Sequence, residues 1–438
     1  MARIGFLERD SILGIKKKIL PNGLTVFLEE LPERKKVVFL VGVGVGSRDE
    51  NQEINGISNI LMKHGTSHLA EHFQFVSTAS HTADEITEDI EDGGAQMNGG
   101  TYFDSTIFCV KGYSRYLPKN IRILYEIISN FEYKEEELER ERQEVLTEIK
   151  DAIDSPKDHY FANLFLPILF RKTSFEKPIL GTSKSVKHIT KDDLIAFKRK
   201  FYIPNNMIIF VCGKFDGERV LKVIDKTFGR LKRRELEAPE LKINLKNRRR
   251  KSFKTRKSLK LAYLVFGHRV PGFNHPDSIK LMLLDSILSG GTSCRIYKRL
   301  RREKGIGYDE VGSDYDDFGG IGVFCVKIGG FDNRRLKEAK RIILEELEDL
   351  KTNLVGKREF SRAKNLFLSN NDDYLEKLQG QTEILSDAYF GKYIFDPRNY
   401  KKYISKISRE ALRRTAQKYF SDKYTLTALV PENFKLKK

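Results

Sequence analysis

Two stretches of this 438-residue chain repeat one another at a fixed distance. Ile189-Thr190-Lys191-Asp192-Asp193-Leu194, running through Lys200-Phe201-Tyr202 to Ile208-Ile209-Phe210-Val211, matches a second series. That series is Ile407-Ser408-Arg409-Glu410-Ala411-Leu412, running through Lys418-Tyr419-Phe420 to Leu426-Thr427-Ala428-Leu429, at an offset of 218 residues. Each copy reads as a helix N-capped by Thr190 or Ser408 and followed by an apolar strand. An offset near half the chain length points to one α/β domain duplicated, whereas a solenoid would repeat every 20–50 residues or so. The length also exceeds what one hydrophobic core supports. The expected fold is therefore α+β, with two copies of a mixed sheet packed by helices. Residues 1–231 form the N-terminal domain, 232–257 a basic linker region, and 258–438 a C-terminal domain of the same fold.

Hydrophobic residues make up 40% of the chain, enough to fill two cores, so disorder is excluded as the dominant state. The net charge of +18 does not by itself mark a nucleic-acid surface. The 79 basic residues are interspersed with 61 acidic ones, and the densest run, Arg248-Arg249-Arg250-Lys251, is short. No nucleic-acid partner is expected. Cys109, Cys212, Cys294 and Cys325 are far apart, without C-x-x-C spacing, and read as reduced thiols. Met1 to Lys18 carries Glu8 and Asp10 and no secretory apolar core, and the longest apolar run, Val37 to Val45, is too short to cross a bilayer. A soluble, cytoplasmic protein with no membrane partner is expected. The triplet Gly42, Gly44 and Gly46 sits within a strand pattern at the wrong spacing for a dinucleotide fingerprint. Leu24 to Leu28 and Val37 to Val45 read as strands; Ala83 to Ile90, Leu117 to Ser129 and Glu135 to Ile153 read as helices.

His68-Leu69-Ala70-Glu71-His72 places two imidazoles four residues apart, on one face of a helix, where both can reach one ion. Glu71 shares that stripe. The pattern H-x-x-E-H is the inverted zincin signature. Such a site needs three protein ligands for one Zn2+ per chain and a base to take a proton from water, here Glu71. On the acidic helix Glu135 to Lys150, the residues Glu141, Glu144 and Glu148 share a face and are all candidates for the third ligand. His64, four residues before His68, follows no such pattern because Gly65 and Ser67 read as a helix start.

These residues resemble the pitrilysin/insulinase family of zinc metallopeptidases, in its branch similar to mitochondrial processing peptidase, and the resemblance covers nearly the whole chain. The segment Glu141-Arg142-Gln143-Glu144-Val145-Leu146-Thr147-Glu148 resembles the family's E-R-x-x-[VI]-[LI]-x-E. That match implies Glu148 as the third metal ligand and Glu141 as a supporting acid behind the metal shell. Phe75 and Ala83-Asp84-Glu85-Ile86 match further family positions. Gly93 to Thr101 resembles the family's edge strand, which implies that Asn98, Gly99 and Gly100 bind extended substrate. Tyr202-Ile203-Pro204-Asn205-Asn206-Met207 and Gly213 resemble its Y-x-P-x-N-M…G segment. Ser293-Cys294-Arg295-Ile296 and Leu300 to Tyr308 resemble S-S-R-L…L-R-E-K-x-G-L-x-Y. That similarity implies a role for Arg301 and Tyr308 at the substrate carbonyl.

The resemblance implies two α/β-roll domains closing as a clamshell around a peptide-binding chamber, the second domain free of metal. It also implies a homodimer and a zinc-dependent endopeptidase acting on short or unfolded peptides. Because the chain carries both the zinc motif and the arginine and tyrosine, it is expected to be self-sufficient. The alternative is a catalytically idle structural or partner subunit, which would lack a ligand. Three departures from the family pattern stand out. Asn59 to Ser67 reads as an extra segment before the motif, the F-x-G-T turn reads Phe75-Val76-Ser77-Thr78, and Gly99 replaces the usual alanine.

Overall fold

The computed structural model describes residues 15–50, 62–236, 244–390, 393–432 and 434. Gly56 to Ser58 and the start of the expected extra segment, Asn59 to Leu61, lie outside them. The chain divides into two compact units. Met1–Lys150, Lys177–Leu241 and Leu375–Phe390 form the first, and Asp151–Glu176, Lys242–Tyr374 and Gly391–Lys438 form the second.

The first unit holds a six-stranded sheet of β1 (Ile15–Ile19), β2 (Thr25–Glu30), β3 (Lys36–Val43), β4 (Gln96–Thr101), β5 (Thr106–Tyr113) and β6 (Met207–Gly213), in the order β1-β2-β6-β3-β5-β4. The second holds five strands, β7 (Arg250–Arg256), β8 (Ala262–Pro271), β9 (Val311–Asp317), β10 (Ile321–Phe331) and β11 (Thr425–Pro431), in the order β7-β11-β8-β10-β9. Each sheet contains one parallel pair, β2 with β6 and β7 with β11, and every other pairing is antiparallel. Apart from β1, the two sheets share one topology, and the expected mixed sheets packed by helices are present in both halves.

The repeat legible in the sequence is the Lys191–Phe201 helix leading into β6 and the Arg409–Tyr419 helix leading into β11. The Thr190 hydroxyl accepts from Asp193 N–H and the Ser408 hydroxyl from Ala411 N–H, which satisfies a free amide at each helix start. The 218-residue offset does not carry through the faces of the strands, however. Met207, Ile209 and Val211 join the first core, but Leu426, Ala428 and Val430 join the second. Side chains alternate along a strand, so this one-residue slip exchanges the two faces.

The expected boundaries also differ from the units. β7 lies inside the stretch 232–257 read as a linker, where its pairing with β11 makes it part of the second sheet. Residues 151–176 belong to the second unit, although they fall within the expected N-terminal domain. Their His159–Phe165 turn lies on the second sheet, with the Tyr160 ring tilted against Tyr263 at 5.5 Å and Lys327 4.0 Å above the Phe161 ring. Conversely, the Leu378–Tyr389 helix belongs to the first unit. Leu378 clusters with Val38 and Cys212, and Tyr389 meets Phe27, which stacks on Phe210.

Two helices carry the site, α1 (Thr66–His72) and α4 (Glu135–Asp154), with α2 (Ala83–Glu91) and α3 (Leu117–Ser129) between them in the chain. Along α4, Leu138, Arg142, Val145 and Ile149 are buried at spacings of four, three and four residues. That stripe fixes the rotation of the helix and turns Glu141 and Glu148 towards α1.

Candidate metal centre

α1 is short and buried on nearly every side, so its position depends on how its start is held. Gly65 precedes it at φ 92°, a left-handed conformation that favours glycine, and a Cβ there would come within 2.9 Å of Leu180 O. The fully buried Glu50 carboxylate accepts from Gly65 N–H at 2.9 Å and Ser67 N–H at 2.8 Å. An anion at this end satisfies free amides and opposes the positive end of the helix dipole. Burial nonetheless pushes the Glu50 carboxyl up. His64 faces Glu50 at 3.7 Å and belongs to neither donor group that includes His72.

At the other end of α1, Gln74 donates to Ala70 O at 2.7 Å, and the fully buried Lys198 ammonium donates to Gln74 Oε1 at 2.8 Å and Asn130 O at 2.5 Å. Burial lowers the Lys198 pKa far below its ordinary value. The rings of Phe131, Tyr133 and Tyr202 surround it at 5.0, 5.4 and 5.6 Å and stabilise what charge it carries. α4 is pinned by Arg142, whose Nη1 donates to Val186 O at 2.7 Å and Ile189 O at 2.8 Å. Glu50, Arg142 and Lys198 escape a reading of the sequence for chemistry. The readable signal for the last two is a cation set on an otherwise apolar helical stripe.

Held in this way, His68 and His72 lie side by side with ring centroids 4.7 Å apart. One Glu148 carboxylate oxygen stands 3.5 Å from His68 Nε2 and the other 3.5 Å from His72 Nε2. Glu148 is the glutamate of the α4 face whose carboxylate lies beside both imidazoles. Glu141 approaches His72 from behind, with Oε2 at 3.5 Å from Nδ1, and Glu144 joins only the grouping of His72 with Glu141. Glu71 Oε2 lies 4.0 Å from His68 Nε2 and accepts from the Thr101 hydroxyl at 3.4 Å.

Electrostatics divide the two imidazoles. Burial, together with the charge of His72, lowers His68 to about 4. Burial works the same way on His72, but hydrogen bonds to Glu141 and Glu148 and the charges of Glu148 and Glu71 outweigh it and raise His72 to about 10. The hydrogen bond to His72 holds Glu148 below its usual range, and burial pushes Glu71 up. The cluster thus favours one positive charge at its centre. Ligand atoms of His68, His72 and Glu148 all lie within 4.8 Å of one another, and two imidazoles with one carboxylate make a donor set suited to a divalent zinc. The residues fit the ion, which would compete with the proton on His72.

β4 pairs with β5 alone and borders the first sheet, so alternate backbone groups along Gln96–Thr101 point away from the sheet. Asn98, Gly99 and Gly100 lie on this edge. A Cβ at Gly99 would come within 2.5 Å of Glu71 Oε1 and 2.9 Å of the Phe75 ring. Arg301 and Tyr308 lie in the second unit and meet each other there. The Arg301 guanidinium stands 4.8 Å from the Tyr308 ring centroid and donates to Gly307 O at 2.6 Å, and Tyr308 is 73% exposed. All four cysteines are free thiols, and no helix among the described residues is long and apolar enough to cross a membrane.

Two mixed sheets of one topology, the first bearing paired histidines and glutamates on facing helices, define a two-domain protein of the metallopeptidase class. Residues 25–183 match the family described as Insulinase (Peptidase family M16), and residues 188–367 match the Peptidase M16 inactive domain. An uncharacterised zinc protease of Rickettsia felis is 31% identical across 94% of this chain and 97% of its own. An uncharacterised zinc protease of Bacillus subtilis, YmxG, is 27% identical across 95% and 98%. The solved structure of a protease from Helicobacter pylori shares the fold with a TM-score of 0.87 at 24% identity, covering 95% of this chain and 99% of that one. The chain belongs to the pitrilysin/insulinase family, peptidase family M16.

Proposed function

We propose that this protein is a zinc-dependent endopeptidase that hydrolyses short or unfolded peptides, with His68, His72 and Glu148 holding one zinc ion per chain. The observation that carries the reading is the approach of Glu148 to both imidazoles beside the buried Glu71. A bound zinc supplies Lewis acidity towards the peptide carbonyl and the attacking water.

The chain's own residues supply the rest. Glu71 takes a proton from water as its oxygen bonds to the carbonyl carbon, then delivers that proton to the amide nitrogen as the C–N bond breaks. Thr101 orients the Glu71 carboxylate, and Glu141 steadies His72 through Nδ1. An extended peptide adds to the β4 edge along Asn98, Gly99 and Gly100, which restricts substrates to segments without competing structure. Arg301 and Tyr308 serve as donors to the oxyanion. The enzyme acts in the cytoplasm as a homodimer.

The test is hydrolysis of a quenched unfolded peptide by purified protein, with bound zinc quantified, beside Glu71→Gln. The variant should retain its zinc and lose roughly 10²–10⁴-fold in rate. A wild-type protein that binds no zinc and cuts nothing would instead be the idle subunit.

A further inference from the structure

The second unit contains a cleft of about 480 Å3 that the peptidase reading does not use. It opens between the Leu336–Thr352 helix and the chain around Phe266, Phe420 and Tyr424. The corresponding place in the first unit is lined partly by a further helix, with Tyr125 on a cleft of about 440 Å3. There α3 follows the Ser114–Tyr116 turn as the Leu336–Thr352 helix follows Asn333–Arg335, so Tyr125 of α3 corresponds to Leu344. Beyond β6, the Gly217–Lys226 helix returns the chain to α3, and the buried Phe228 ring lies 5.3 Å from Tyr125 and 6.1 Å from Phe39. Leu344 lines the cleft of the second unit.

The lining indicates its chemistry. Five cations line the cleft against three acids. Glu345 is paired with Arg299 and Arg341, and Glu348 with Lys351. Among the described residues Arg249, Lys337 and Lys340 have no ion pair; Asp422 lies only within the longer-range field of Arg249. Arg249 and Lys340 stand 5.6 and 5.8 Å from the Tyr424 ring centroid. Arg249 and Lys340 approach the buried Tyr424 oxygen as donors, and its own proton has no acceptor among the described residues, an unfavourable state that an incoming acceptor would relieve. Burial raises the Tyr424 pKa, yet Arg249 and Lys340 outweigh it and hold the phenol below its ordinary value, so negative charge is stabilised at this oxygen. The volume suits a small molecule.

We propose that this cleft binds a small amphipathic anion, a single carboxylate on an apolar acyl body. Arg249, Lys340 and the Tyr424 hydroxyl receive the carboxylate, and Phe266, Leu344 and Phe420 carry the body.

Calorimetric titration of the full chain with octanoate, 1-octanol and inorganic phosphate tests this. It is run on the Glu71→Gln protein, so the result does not depend on peptide cleavage. Octanoate should bind one per chain, at least tenfold tighter than either octanol or phosphate. The double variant Arg249→Gln/Lys340→Gln should weaken octanoate at least tenfold, leaving octanol binding and the thermal midpoint unchanged. Equal binding of octanol or of phosphate, octanoate binding indifferent to the double variant, or no octanoate binding at millimolar concentration would each overturn the proposal.

Discussion

Gly99 is pressed against Glu71: a Cβ at this position would come within 2.5 Å of Glu71 Oε1. The family resemblance leads one to expect alanine here, so the space that alanine would fill is taken up by the carboxylate. The carboxylate is the free end of a flexible side chain, but the Phe75 ring, 2.9 Å from the same point, is less able to yield. A series Gly99→Ala and Gly99→Val should therefore lower kcat in steps, with the valine variant losing about a hundredfold, because misplacement of a reacting group by about 1 Å costs that much. Zinc content should stay constant through the series. A valine variant as active as wild type would show that Glu71 need not occupy this position.

Glu141 meets His72 at Nδ1, the nitrogen turned away from the proposed ion. Carboxylates placed in this way orient the imidazole and raise its basicity. Glu141→Gln should weaken zinc roughly 10–100-fold, read by competition with a chromophoric chelator. Glu144→Gln should change the affinity far less, since among the described residues Glu144 lies near His72 without the close carboxylate–imidazole contact that Glu141 makes. Equal losses in the two variants would remove the special place given to Glu141.

Arg301 stacks on Tyr308 and anchors on Gly307 O through one nitrogen, leaving the rest of its planar fork available. Lysine keeps the charge without the fork. Arg301→Lys should reduce kcat/KM on the order of a hundredfold, in line with the loss of one oxyanion donor, at unchanged zinc content. A variant cleaving at the wild-type rate would assign Arg301 a purely local role.

His268 offers a pH test distant from the metal ligands in the chain. It is 1% exposed, and Nε2 donates to Ser421 O at 2.9 Å, which sets the neutral tautomer. Burial, reinforced by the charge of Lys351 and only partly opposed by that hydrogen bond, lowers it from 6.5 to about 4. The unfolded chain therefore takes up the proton first. Stability from this group is complete above about pH 6.5 and is lost as the pH falls towards 4, an effect of about 3 kcal/mol. In urea unfolding with chelator present, wild type should lose about that much more than His268→Gln between pH 7 and pH 4. Parallel losses would mean that His268 titrates normally.

Much of this architecture was legible in the residues because it depends on local period. The stretches read as strands and helices near Leu24, Val37, Ala83, Leu117 and Glu135 follow alternation or helical spacing, and the structure forms β2, β3, α2, α3 and α4 there. The nearness of His68 and His72 follows from four-residue spacing in the same way. What was not legible depends on residues far apart in the chain. The slip between Ile209 and Ala428 as inward residues is set by the sheets: β6 is apolar on both faces, and only Thr425 and Thr427, alternating along β11, hint at the orientation of that strand. Glu50 reaches the start of α1 across the undescribed residues 51–61, and Lys198 meets Gln74 from more than a hundred residues away. Choosing Glu148 over Glu141 and Glu144 needed the family resemblance, because all three share one helical face.

The placement of residues 375–390 in the first unit bears on how the protein is made. β6 completes the first sheet at Gly213, but the helix that covers Val38 and Cys212 begins at Leu378. Between the two events a ribosome adds well over a hundred residues, which at about 5–20 residues per second leaves the Phe27 and Phe210 face bare for roughly ten seconds or more. During synthesis the nascent chain carries an open apolar sheet face of the sort that chaperones engage, and translation must be almost complete before the half that carries His68 and His72 can cover the second face of its sheet.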